Sequence, residues 1–64
     1  MSELHDEILT TFFKDGRYGT EMLPASLIIA ACTSVGFDTA DAVDGLSALV
    51  AEYHLCETEG HFAL

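Results

Sequence analysis

The sequence predicts a mainly α-helical α+β domain with three helices and a small β-hairpin, and three observations lead to this prediction. Apolar residues recur at helical spacing in three segments that Gly or Pro signals separate. Two short β-prone runs flank Glu59-Gly60. The 64 residues fit one small domain, and a hydrophobic content of 50% excludes intrinsic disorder even at a net charge of -9. We therefore expect residues 1 to 64 to form a single domain.

The first predicted helix begins after Ser2, which suits an N-cap, and ends at Asp15-Gly16. Leu4, Ile8 and Phe12 recur at intervals of four and give the helix an apolar face. Acidic residues dominate its first turns, where the helix dipole favours negative charge. A connector with a short extended piece is expected over residues 17 to 23.

The second predicted helix runs from Ala25 to Val35, with Pro24 at its start and Gly36 at its end. It is apolar almost all the way round. Its expected core face consists of Leu27, Ile28, Ala31, Cys32 and Val35. Ile29 then points away from the core, as either ordinary apolar surface or a contact for a partner or a second copy of the chain.

The third predicted helix opens at Asp38-Thr39-Ala40-Asp41, with Asp38 or Thr39 as its N-cap. Gly45 in its middle costs about 1 kcal/mol relative to Ala. This glycine marks either close helix packing or a tolerated position. The expected core stripe of the helix is Ala42, Val43, Leu46, Leu49, Val50 and Tyr53.

Helix, extended connector, helix, tight turn, helix and hairpin is the element order of a winged helix-turn-helix domain, and the chain resembles that family over nearly its whole length. The likeness is strongest over residues 38 to 64, which resemble a recognition helix followed by a Gly-tipped wing. In DNA-binding members these elements carry basic and polar residues against bases and phosphates. Here the corresponding positions are neutral or acidic, so the resemblance implies the fold without its DNA-binding surface.

The charges of the chain exclude several classes of partner. The sequence has 11 acidic residues and 2 basic ones, and residues 38 to 64 contain six carboxylates with no Lys or Arg. Nucleic acids and anionic membranes are bound chiefly through Lys and Arg, so both should be repelled. We expect no direct nucleic-acid or membrane binding, and instead a partner protein with a basic surface.

The candidate binding residues are mostly carboxylates. Asp38, Asp41 and Asp44 repeat every three residues, which places them along one side of a helix at about 4.5 Å of rise per step. This stripe is a solvated face, an imitation of a phosphate run, or a surface that recognises a basic partner. The candidate partner-binding set is Asp38, Asp41, Asp44, Glu52, Glu57, Glu59 and Ile29.

No catalytic, metal or cofactor site is expected. His54, Cys56 and His61 lack the clustered spacing of zinc ligands, and no motif brings a nucleophile and a base together. Cys32 and Cys56 do not form a disulfide framework, and residues 1 to 6 do not resemble a signal peptide. The longest uncharged stretch has 14 residues, fewer than the about 20 that a spanning helix needs. We therefore expect a cytoplasmic protein.

These observations favour a non-enzymatic, acidic protein-interaction module that acts as a small regulator or inhibitor. The alternative is a DNA-mimic inhibitor of a nucleic-acid-binding protein, since the chain is similar in size and charge to small phage or bacterial inhibitors, including anti-CRISPR and host-takeover proteins. A transcription regulator is a third class. It would need Lys14 and Arg17 to supply the whole attraction to DNA. Adaptation to high salt is a further explanation of the acidity.

The charge distribution generates a first prediction. The full chain should show no measurable binding to duplex DNA at physiological salt, because its two cations cannot offset the repulsion from 11 carboxylates. Fluorescence anisotropy with a labelled duplex measures this directly. Micromolar binding that weakens as salt is added would contradict the prediction and restore the transcription-regulator hypothesis.

Overall fold

A computed structural model describes residues 3–15, 17 and 19–64 and confirms the predicted mainly α-helical α+β class. The predicted N-cap Ser2 and the predicted helix end at Gly16 lie outside the described residues. The second helix ends one residue earlier than expected. In chain order the elements are α1 (Glu3–Asp15), β1 (Leu23–Pro24), α2 (Ala25–Ser34), α3 (Thr39–Ala51), β2 (Cys56–Thr58) and β3 (His61–Ala63).

The core lies where the three helices meet the sheet. Ile8 and Phe12 lie four residues apart on α1, and both are fully buried in this core. Leu4, at the start of the helix, is half-buried. Thr11 is also buried, and its hydroxyl donates a 2.9 Å hydrogen bond to the carbonyl of Glu7, so it introduces no unsatisfied group. The buried apolar residues are Ile8, Phe12, Leu23, Ile28, Cys32, Ala42, Leu46, Leu49 and Leu55.

The end of α2 determines where Phe37 lies. Gly36 adopts φ 103°, a left-handed conformation that glycine reaches without steric cost. Its amide donates to the carbonyl of Thr33, and the amide of Phe37 donates to the carbonyl of Cys32, both at 3.1 Å. This pair of bonds is a Schellman motif. It turns the chain back so that Phe37 packs, half-buried, against the core between α2 and α3.

Two expected core positions of α2 are corrected. Val35 was expected on the core face but is 57% exposed, because the helix ends at Ser34 and the chain turns away there. Ile29 was expected to point away from the core, yet it is half-buried and packs against it. In a helix that is apolar almost all round, periodicity does not select the buried side.

The end of α3 corrects the expected core stripe. Tyr53 is 95% exposed, because the helix ends at Ala51 and Tyr53 adopts φ 63°. The amide of His54 donates to the carbonyl of Leu49 at 2.9 Å, and the amide of Tyr53 donates to the carbonyl of Val50 at 3.1 Å. These two bonds form a second Schellman motif, in which Tyr53 occupies the position that glycine usually takes. Val43 is 44% exposed, since it lies beside rather than within the buried face.

The predicted hairpin is present, and it forms part of a three-stranded sheet. Glu59 and Gly60 adopt φ 51° and 79°, as the two central residues of a type I′ turn require. Strand β3 pairs on its other side with β1, giving the order β1-β3-β2. The amide of Ala25 donates to the carbonyl of Gly60 at 3.2 Å, so the backbone of the preceding Pro24 faces the open edge of the sheet.

Gly45 brings α1 and α3 into close contact, which confirms the close-packing interpretation of this glycine. A Cβ atom at this position would lie 3.0 Å from Cδ1 of Ile8 and 3.1 Å from Cδ2 of Leu4. Both distances are shorter than ordinary van der Waals contact. The helices therefore approach each other at a point where α3 has no side chain.

We expect Gly45→Ala to lower the free energy of unfolding by about 1 kcal/mol. The substitution recovers about 1 kcal/mol of helix propensity, but the new methyl group crowds both Leu4 and the fully buried Ile8. Overpacking of this kind costs about 1–3 kcal/mol. Urea unfolding followed by circular dichroism measures the difference.

A double-mutant cycle isolates the cause. Ile8→Val removes Cδ1, the nearest atom to the new methyl group, while Cδ2 of the half-buried Leu4 stays close to it. In that background Gly45→Ala should therefore destabilise the chain less than it does in the wild type. A Gly45→Ala chain that is more stable than the wild type in both backgrounds would show that the two helices are free to move apart.

Candidate functional site

The predicted acidic stripe lies on the surface at the start of α3. Asp38 is the N-cap residue, in an extended conformation, and its side chain makes no capping hydrogen bond. Asp41 and Asp44 follow on the helix, and all three carboxylates are exposed. Within the described part of the chain no hydrogen bond or ion pair engages these three carboxylates, and the helix dipole favours the charge of Asp41 in the first turn. All three charges are exposed and available to a partner.

A groove between α1 and α3 receives two of these aspartates. It is a shallow depression with a volume of about 540 Å³ that is widely open to solvent. Glu3, Asp41 and Asp44 contribute its carboxylates, and His5 also lies on its wall. The apolar part of its lining consists of Leu4, Phe37, Gly45 and Ala48.

The groove exists because α3 has small residues where it faces the start of α1. Gly45 and Ala48 are three residues apart and therefore neighbours on one side of the helix. Their small side chains leave space beside α3, and Leu4 of α1, whose side chain lies against Gly45, lines it. Phe37, positioned by the Schellman turn after α2, also lines the groove.

A second depression of about 470 Å³ lies on the other side of Phe37. It shares Glu3 and Phe37 with the groove and adds Asp6 and Glu7 of α1. Lys14 also lines it, so its charges are mixed. The groove between α1 and α3, in contrast, has no Lys or Arg in its lining and is the more negative of the two.

The two basic residues of the sequence are found near the end of α1 that is far from the groove. Lys14 lies 11 positions after Glu3, about 17 Å along the helix. The Nε atom of Arg17 is 3.1 Å from Oε1 of Glu21 in an exposed ion pair. The lining of the groove itself contains no Lys or Arg, and Lys14 lines only the adjoining depression, which shares Glu3 and Phe37 with the groove.

The remaining predicted binding residues do not line the groove. Glu52, Glu57 and Glu59 are exposed but absent from its lining. The carboxylate of Glu57 accepts a 3.2 Å hydrogen bond from the amide of Gly60 and so supports the hairpin turn. Ile29 packs against the core, and a charged substitution there would disturb the fold as well as any contact.

Sequence reasoning missed the part of the groove that α1 and the α2–α3 turn supply. Glu3 was interpreted only as a favourable charge at a helix start, and Leu4 only as a core residue. The one sequence signal that could have joined them to Asp41 and Asp44 is Gly45, because a glycine inside a helix often marks a close approach by another element.

Among the residues that the structure describes, no group of three or more His, Cys, Asp or Glu side chains is placed to hold a metal ion. The ring Nδ1 of His61 lies 3.2 Å from the carbonyl oxygen of Glu59, so this histidine has a local backbone partner. The described helices also lack the length and apolar character that a membrane-spanning helix needs.

Comparison of the chain with protein-family models, with curated proteins and with solved structures gives no match.

The two cysteines differ in environment. Cys32 is buried in the core, and its burial, followed by the nearby charge of Glu7, raises the pKa of its thiol. Cys56 is exposed on β2. A thiol reacts as its thiolate, so both burial and the raised pKa slow the reaction of Cys32.

We expect an aromatic disulfide reagent at pH 8 to modify one thiol rapidly and the second only when the chain unfolds. Cys56→Ser should remove the fast phase, and Cys32→Ser should remove the slow one. Absorbance of the released thiolate measures both phases, with and without urea. Equal rates for the two thiols in the folded chain would contradict the burial of Cys32.

Proposed function

We propose that this chain is a non-enzymatic protein-interaction module that binds a partner protein with a basic surface. The observation that carries the proposal is the pair of exposed carboxylates, Asp41 and Asp44, beside a groove that has no Lys or Arg in its lining. Charges arranged in this way accelerate encounter with a cationic surface and select against anionic partners.

The fold supports a specific position for the contact. The element order α1, β1, α2, α3, β2, β3 is the same as in winged helix-turn-helix domains, in which the third helix is the recognition helix. In this chain the corresponding helix is acidic. We propose that it keeps its role as the recognition element and meets a basic protein in place of DNA, as a small cytoplasmic regulator or inhibitor.

The groove favours a protein partner without DNA mimicry over the DNA-mimic alternative. A phosphate backbone offers charge along its whole length, whereas here Asp41 and Asp44 border an apolar lining of Leu4, Phe37 and Ala48. Apolar lining contributes to binding only when the partner brings apolar atoms to it. Competition with duplex DNA separates the two hypotheses, since a mimic occupies the DNA site of its partner.

The test begins by isolating the partner. The full chain is used to capture proteins from its source organism at low salt, and the purified partner is then measured by surface plasmon resonance. We expect the triple change Asp38→Asn, Asp41→Asn, Asp44→Asn to slow association at least about tenfold at low salt. The difference should shrink between 0.1 M and 1 M salt, as the Debye length falls from about 10 Å to about 3 Å.

A matched control removes the same amount of charge elsewhere. Glu52→Gln, Glu57→Gln, Glu59→Gln also removes three negative charges, but at positions outside the groove. It should slow association much less. Equal effects of the two triple variants would show that only net charge matters, and an unchanged association rate in the first variant would refute the proposal.

A further inference from the structure

We infer that the groove between α1 and α3 binds a short segment of the partner in which a Lys or Arg stands next to an apolar residue. The inference rests on the proposed function and adds the chemistry of the recognised segment. The observation behind it is that three carboxylates and an apolar lining lie side by side in one groove.

The apolar lining is already partly used by the fold. Leu4 and Phe37 pack against the core, are half-buried and line the groove, and Phe37 also lines the second depression. Ala48 is also half-buried. Water over this surface is displaced favourably by an apolar side chain, at about 25 cal/mol per Å² of area removed from water. A purely cationic segment would leave this contribution unused.

The carboxylates select the charge of the segment. Glu3 comes from α1, whereas Asp41 and Asp44 come from α3, so negative charge borders the groove on both helices. Walls of low dielectric strengthen the field in such a cleft. Lys and Arg suit it because their aliphatic stems can cover apolar surface while the charged end reaches a carboxylate. A guanidinium can also stack on the ring of Phe37.

The size of the groove limits the occupant to a short segment. Its volume of about 540 Å³ falls within the range of about 300–1,000 Å³ that is typical of ligand pockets. This space accommodates a few side chains, so the recognised unit is a short segment of the partner.

A second copy of this chain is the competing occupant, because Phe13 and Lys14 are both exposed and adjacent. The charge of the chain disfavours it. Each copy has a net charge of -9, so association of two copies brings strongly like-charged domains together.

The test uses the full chain as bait for a random library of twelve-residue peptides displayed on phage, at low salt. Enriched peptides should combine Lys or Arg with an adjacent Leu, Met, Phe or similar residue. Selected sequences are then synthesised, and their affinity is measured by isothermal titration calorimetry. Nuclear magnetic resonance of the labelled chain should show shifts at Phe37, Gly45 and Ala48.

Two variants that differ by one position test the location. Ala48→Arg places a long cation in the groove, and Ser47→Arg adds the same charge to an exposed position outside the groove lining on the same helix. We expect Ala48→Arg to weaken the selected peptides at least tenfold and Ser47→Arg to weaken them less than threefold. Asp41→Asn, Asp44→Asn should also weaken them at least tenfold and remove most of their salt dependence. Circular dichroism verifies that each variant is folded.

The outcomes separate this inference from the proposed function. One outcome is that the enriched peptides are basic without apolar residues and bind equally to the Ala48→Arg and Ser47→Arg chains. This would refute the groove as the binding site but leave electrostatic recognition by α3 as an explanation. A failure to enrich any peptide would also refute the groove as a binding site. If peptides bind the Asp41→Asn, Asp44→Asn chain with unchanged affinity, both the groove and the proposed function would be contradicted. Dimerisation of the wild type that Ala48→Arg abolishes, measured by sedimentation equilibrium, would assign the groove to a second copy.

Discussion

The structure depends on the close approach of α1 to α3 at Gly45. Inside the domain, this approach allows Ile8 and Leu4 to pack directly over the α3 backbone. On the surface, the same approach accompanies the groove between α1 and α3, which Asp41, Asp44 and Glu3 line. One residue without a side chain therefore determines both the packing of two helices and the shape of the candidate binding surface.

Local signals in the sequence predicted most of the secondary structure. Glu59-Gly60 predicted the hairpin, since the two positive φ angles of its turn favour a glycine in the pair. Gly36 predicted the end of α2 for the same physical reason. The end of α3 was missed because Tyr53 takes the left-handed position there, and a tyrosine gives no signal of that conformation. The pairing of β1 with β3 was also missed, since a strand of two residues has no pattern to recognise.

The site was predicted in part, because only some of its members are neighbours in sequence. The three-residue spacing that linked Asp41 to Asp44 is a property of one helix and was visible in the sequence. Glu3 and Phe37 reach the same groove through tertiary packing, which no local pattern records. The wrong expectations for Val35 and Ile29 have a different origin. A helix with apolar residues on nearly every side offers several orientations of similar burial, and its neighbours choose among them.

The two edges of the small sheet affect whether strands of one molecule can pair with strands of another copy. At the β1 edge the outward-facing backbone belongs to Pro24, which has no N–H to offer to an added strand. At the opposite edge, β2 is three residues long and has an acidic residue, Glu57, at its centre. Short, charged or proline-blocked edges discourage sheets from extending from one molecule to the next. The composition of its two sheet edges thus limits edge-to-edge polymerisation of a chain that is half hydrophobic.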